Sequence, residues 1–170
     1  TGQQNVLNLI STDSSNGKSY LAQELETYWI SIGLQVRRLT YDEDFLAEDS
    51  RYLLASDIKD LCSDILPDEI AIVEYPNLNE HPMSPALLNM GTVNLMVTRA
   101  NRTWKDVDQK ALRETIEMLE DKSTLYMYLT EASRYAVEEF VGQLPPYTAF
   151  KNFVYRISQL GLTATENERV

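Results

Sequence analysis

The chain has 170 residues, and its 15 Lys plus Arg against 26 Asp plus Glu give a formal net charge of −11. That length fits one domain, and 44% hydrophobic residues are enough to bury a core, which excludes a disordered chain. The acidic balance excludes a nucleic-acid binder, which needs positive surface against phosphates, and a lone Cys62 excludes an intramolecular disulfide and fits a reducing compartment.

Val6 to Ile10 reads as a first strand, closed by Ser11 and a polar run to Gly17. A helix opens near Lys18, with Leu21, Leu25, Tyr28 or Trp29, and Ile32 at helical spacing, and Gly33 at its end. Val36 to Tyr41 is a second strand, followed by the acidic stretch Asp42, Glu43, Asp44, Glu48 and Asp49, read as a solvated loop. Ser50 to Leu66 is expected to be one helix carrying Leu53, Leu54, Ile58, Leu61 and Ile65. Ile70 to Glu74 is a third strand, apolar enough to be buried on both faces, and Tyr75-Pro76 is expected to stop it. A short helix over Ala86–Met90 leads to a fourth strand, Val93–Thr98. Thr103 and Asp106 have capping-box spacing for a helix to about Glu120 that buries Ala111, Leu112, Ile116 and Leu119. Leu125–Leu129 is a fifth strand. A helix near Ala132–Phe140, a loop at Gly142–Pro146 and a last helix with Phe150, Phe153, Val154, Ile157 and Leu160 on one face complete the pattern.

Strand and helix in alternation predict an α/β fold: a P-loop NTPase-like parallel sheet of about five strands with helices on both faces. It is expected to span residues 1–162, with a polar tail over 163–170. Ligands of such sheets sit beyond the carboxyl ends of the strands, here residues 11–18, 41–45, 74–81, 99–104 and 130–134. No apolar run approaches the roughly 18 residues of a membrane helix, and no signal peptide is recognisable. The start at Thr1 suits a piece of a longer polypeptide, with any membrane attachment expected outside it.

One motif carries chemistry. The first strand-to-helix turn ends Ser14-Ser15-Asn16-Gly17-Lys18-Ser19, the second half of the phosphate-binding pattern G-x-x-x-x-G-K-[ST]. In that pattern loop N–H groups cradle phosphate oxygens and the helix N-terminus adds partial positive charge. Lys18 would reach the outer phosphates and Ser19 would ligate magnesium. The first glycine of the pattern is Thr12 here, a β-branched residue that resists positive φ. Asp42 after strand two and Glu74 at strand three are the candidate acids, Asp42 as base and Glu74, with Ser19, for the metal. Glutamate is a methylene longer than the aspartate expected there, and magnesium is strict about geometry.

The Ser11–Ser19 loop, Asp42 and Val73-Glu74-Tyr75-Pro76 resemble the cytoplasmic domain of bacterial tyrosine kinases that act as capsular and exopolysaccharide chain-length regulators. The resemblance continues through Leu95–Trp104 and Gly142-Gln143-Leu144-Pro145, from about Val6 to Leu162. It departs from the family at each catalytic motif. The family's G-E-G-K-S is Ser15-Asn16-Gly17-Lys18-Ser19, its Asp-x-Asp is Thr40-Tyr41-Asp42, and its Asp-[Thr/Ala/Ser]-Pro-Pro is Glu74-Tyr75-Pro76-Asn77. The tyrosine cluster that ends such kinases has no counterpart in Thr163–Val170. A degenerate member therefore implies a non-catalytic interaction domain, cytoplasmic and attached to an inner-membrane protein, with no cofactor required. Its partners would be proteins of a polysaccharide assembly or export complex, with room for a homo-oligomer, and no nucleic acid. The alternative is an active ATP- and magnesium-dependent autokinase or ATPase using Lys18, Ser19, Asp42 and Glu74.

The remaining constellations read more plainly. His81, the only histidine, has no nucleophile at a recognisable spacing and is expected at the surface. One Cys and one His do not suggest zinc. Arg99, Arg102 and Lys105 follow strand four and are expected to pair with acids such as Asp106 and Asp108. Trp104 beside them fits local packing. Tyr126 and Tyr128 share one face of a strand and are expected to pack, while Tyr147 and Tyr155 flank the last helix.

Overall fold

Apolar, β-rich runs become β1 (Val6–Ser11), β2 (Val36–Thr40), β3 (Ile70–Asn77), β4 (Val93–Arg99) and β5 (Leu125–Thr130). They form one all-parallel sheet in the order β2-β3-β1-β4-β5. The computed structural model describes residues 4–133 together with 137 and 138. The chain divides into two compact units, Thr1–Glu131 and Ala132–Val170, and the sheet belongs to the first. The expected helix near Ala132–Phe140 lies largely outside the described residues. So do, entirely, the Gly142–Pro146 loop, the helix through Phe150–Leu160, Tyr147, Tyr155 and the tail.

The central strands of the sheet are covered on both faces, as in an α/β fold. On one face α1 (Lys18–Ser31) sets Leu21 and Ala22 against Leu7, Leu9, Ile72 and Val97. On the other, Val6, Ile10, Val73, Tyr75 and Met96 meet side chains of α2 (Ser50–Leu54), α3 (Ile58–Leu61) and α4 (Pro85–Met90), with Leu119 just beyond α5 (Asp106–Met118). Leu9, Ile10, Ile72 and Val73 are fully enclosed, each contributing about 1.5–3 kcal/mol by leaving water. The central strands β1 and β3 therefore sit rigidly beneath the loop that joins β1 to α1.

Several elements differ from the expectation. β3 does not stop at Glu74 but runs through Tyr75 and Pro76 to Asn77. Its partner β1 shifts register there, Leu9 facing Glu74 and Ser11 facing Asn77. The irregularity absorbs a proline that has no N–H to give the ladder. The expected helix Ser50–Leu66 is two short ones. Between them the Asp60 carboxylate accepts from Ser56 N at 2.8 Å and Asp57 N at 3.0 Å, and Asp57 accepts from Lys59 N at 2.9 Å. Side-chain oxygens capture backbone donors that a continuous helix would need, and Leu53 and Leu54 are left exposed. The helix cap is not Thr103 with Asp106: α5 starts at Asp106, and Asp108 accepts from Lys105 N at 2.9 Å. That helix also closes at Met118, short of Glu120, whose N–H donates to Asn89 Oδ1 at 2.8 Å.

On α1 the buried stripe is narrower than expected, since Tyr28 and Ile32 are exposed while Leu25 and Trp29 are half-buried. Gly33, at φ 87°, closes it as expected. Tyr126 and Tyr128 do not pack: they are 55% and 41% exposed, because among the described strands β5 is an edge that pairs only with β4.

Candidate functional site

The loop from Thr12 to Gly17 lies at the carboxyl ends of the strands, held by side chains from two other loops and from the end of β5. Within it, Asp13 Oδ1 accepts from Ser15 N at 3.2 Å and from Ser15 Oγ at 3.3 Å, a local turn. That backbone bond from Ser15 holds the Asp13 carboxyl below its usual range against partial burial, helped by the Arg102 charge. Asn79, beyond β3, donates to the Thr12 carbonyl at 2.7 Å. Arg102, beyond β4, donates Nη1 to the Thr12 hydroxyl at 3.2 Å. Thr130, at the end of β5, donates its hydroxyl to the Asn16 carbonyl at 2.9 Å. Gly17 adopts φ 81° and opens α1, and it supplies no side-chain cap to the first-turn N–H groups. The strand–loop–helix shape expected of a phosphate loop is present.

Its charges are committed elsewhere. Lys18 is buried, and its Nζ donates to the carbonyl of Tyr75 on β3. Burial pulls the ammonium down to about 8, opposed by the Glu74 carboxylate nearby. Glu74 is 2% exposed and shares the α1 face of β3 with Ile72. Its Oε1 lies 3.5 Å from Arg38 Nη1 and accepts from the Thr40 hydroxyl at 3.4 Å. Arg38 also reaches Glu26 of α1 at 3.2 Å. Thr40, which precedes Tyr41-Asp42, is thus a hydrogen-bond donor to Glu74 rather than a second acid beside it. Lys18, Glu74, Arg38 and Glu26 thus form one chain of alternating charge between α1 and β2.

Asp42 is not part of that chain. It is exposed, in a left-handed conformation at φ 72°, and its N–H donates to the Phe45 carbonyl at 2.9 Å. β2, which precedes it, is separated from β1 by β3. Ser14, Ser15 and Ser19 are exposed. Glu74 is already shared by Arg38 and Thr40, and among the described residues there is no cluster of three His, Cys, Asp or Glu. Asn16 is different. It is fully buried, and both its carboxamide Nδ2 and Oδ1 lack a protein partner, a costly state in a dry interior.

The clamp on Thr12 contains residues that sequence reasoning placed only by region. Arg102, with 12% of its side chain exposed, donates Nη2 to both oxygens of the wholly buried Asp108, at 2.8 and 2.9 Å. Its Nε stands 3.5 Å from Asp13 Oδ2. Burial alone would raise the Asp108 carboxyl, yet bonds from Thr12, Lys105 N and Arg102, with the guanidinium charge, hold it below its usual range. The expected pairing of the basic cluster with Asp108 is present for Arg102. Asn79 and Thr130 had no sequence signal beyond being polar residues just past strand ends. His81 keeps part of its side chain exposed, with Nε2 3.8 Å from the exposed Glu48 Oε1 and its ring near Tyr41. No helix among the described residues is long and apolar enough to cross a membrane. No protein-family model matches the chain, and a search of curated proteins finds no match.

Proposed function

We propose that this domain is a non-catalytic interaction module built on a phosphate-loop scaffold. On the resemblance of its motifs, it serves on the cytoplasmic side of a polysaccharide chain-length or export assembly, through protein partners. The observation that carries the reading is the position of Lys18. The one cation that phosphoryl transfer would need at the outer phosphates is buried against the Tyr75 carbonyl and faces Glu74. Phosphoryl transfer depends on positioned charge, and here Arg38 also occupies the acid that would organise a metal. Titration of the full chain with Mg-ATP and Mg-ADP, followed by calorimetry and product assay, tests it. No turnover is expected; turnover that Lys18→Ala abolishes overturns the proposal.

A second reading, binding of a phosphate group without turnover, is favoured by Asn16. Its unpartnered Nδ2, and the first-turn N–H groups of α1 that no side chain caps, are donors that an anion could meet. Under that reading a phosphate or nucleotide at 100 times its dissociation constant raises stability by about 2.7 kcal/mol, and Asn16→Ala removes the rise.

A further inference from the structure

On the face opposite α1, a groove runs between α5 and the segment that follows β3. Its volume is about 350 Å³, and Leu78, Met83, Ala111 and Met118 supply its apolar wall. Thr115 also lines it, but the Thr115 hydroxyl is already bonded to the Ala111 carbonyl at 2.8 Å. That side chain therefore needs no further hydrogen-bond partner. The charged residues that line the groove are Glu114 and Glu117, both exposed, with no basic residue among the lining. Among the described residues, Glu114 pairs with the exposed Lys110 one turn back, at 3.6 Å, a pair worth about 0.3–0.5 kcal/mol and readily exchanged.

We propose that this groove receives a basic amphipathic segment of a partner protein, its bulky apolar side chains against Met83 and Met118 and its Lys or Arg against Glu114 and Glu117. The inference rests on the reading of the domain as an interaction module and names the surface it would use. Three physical points carry it. The lining charge is wholly acidic, and the chain's net charge of −11 steers cationic partners toward it. Methionine is unbranched and polarizable, so the half-buried Met118 can adjust to an apolar side chain, while Met83, a core residue, forms the apolar floor beneath it. The walls are fixed: Asp108 holds the α5 N-terminus through Arg102, and Asn79 on the facing segment bonds to both Thr12 and Asp108. A preorganised groove loses less entropy on binding.

The test uses the full chain with Met methyls labelled for NMR, since its five methionines include both groove residues and three outside it. The probe is a synthetic peptide with Leu and Lys at helical spacing; its counterpart carries Glu in place of Lys. Shifts confined to Met83 and Met118 with the Lys peptide, and none with the Glu peptide, are expected. Glu114→Lys with Glu117→Lys should weaken binding about tenfold or more, while the matched reversal Glu24→Lys with Glu43→Lys should leave it within about twofold. No binding of the Lys peptide, shifts centred on Met127, or equal weakening by the two double reversals overturns the groove. Nucleotide turnover by the same sample would instead overturn the module reading, whatever the peptide does.

Discussion

Lys18 holds a charge in a buried place, and that charge opposes the fold. Its ammonium is lowered to about 8 in the folded chain, mainly by burial, against 10.5 for the free side chain. Below about 8 the folded state must keep a charge in a poorly solvated place, so the cost is fully present at neutral pH. Between about 8 and 10.5 the unfolded chain binds the proton and the folded chain does not, so stability rises with pH across that window. Lys18→Met should therefore stabilise the fold at pH 7, by about 1–2 kcal/mol once loss of the Tyr75 bond is allowed for. That advantage should shrink above about pH 10. Urea unfolding of both proteins at the two pH values measures it, and a destabilised Lys18→Met at pH 7 would mean that the Glu74 and Tyr75 contacts dominate. Arg102 and Asp108 make the opposite case. Arg102→Ala strands a carboxylate with no exposed surface, which should cost about 3–5 kcal/mol, whereas adding Asp108→Asn should recover part of the loss. Because the Asp108 carboxyl is lowered, the stability it contributes is present above its ordinary value of 3.8 and lost as pH falls through its folded value. The acid limb of a stability profile should be shallower in Asp108→Asn.

At the scale of elements, alternation of apolar runs was enough to place five parallel strands and the helices α1, α4 and α5, because a strand buried on both faces leaves an unmistakable run such as Ile70–Val73. What the runs could not carry were events decided by single polar contacts. Asp57 and Asp60 split the expected helix after Ser50, and the irregularity of β1 opposite Pro76 lets β3 continue. The loop motif Gly17-Lys18-Ser19 was legible from spacing alone. Its clamps were not, since Asn79, Arg102 and Thr130 lie 67, 90 and 114 residues from their loop partners and meet them only through strand order. Nor was the diversion of Glu74 to Arg38, which depends on which face of β2 Arg38 occupies. The turn from α4 to β4 illustrates the same limit. Asn8 Nδ2 donates to Asn94 Oδ1 at 2.8 Å and to the Leu87 carbonyl at 3.1 Å, and Gly91 lies over them. A Cβ at Gly91 would come within 2.4 Å of Asn8 Nδ2 and 2.7 Å of Asn94 Oδ1. The backbone there, at φ −62°, suits any residue, so the demand for glycine is purely steric. Gly91→Ala should cost about 1–3 kcal/mol through displacement of the buried amides, read as a lower urea midpoint with unchanged slope. A neutral result would show that the Asn8–Asn94 pair can shift without loss.

For the whole molecule the governing quantity is charge. With a net charge of −11 and a pI near 4.5, the folded chain repels itself at neutral pH, and the compact state bears more of that repulsion than the expanded one. Among the described residues, the sheltered attractions include Arg102 with Asp108 and the buried Glu74 with Arg38. Added salt screens exposed charges over a Debye length of about 10 Å at 0.1 M but acts weakly on enclosed pairs. Raising sodium chloride from about 20 mM to about 300 mM should therefore relieve more repulsion than attraction. A gain of about 1 kcal/mol corresponds to a Tm rise of about 2–4 °C for a chain of this size, measured by a thermal melt at pH 7. The same salt should weaken a cationic peptide held by Glu114 and Glu117, because that attraction is exposed to solvent. Stability and peptide affinity should thus move in opposite directions along one salt series. A Tm that falls with salt would mean that exposed ion pairs, rather than net repulsion, set the electrostatic balance of the fold, and the net acidity would then be no argument for a cationic partner.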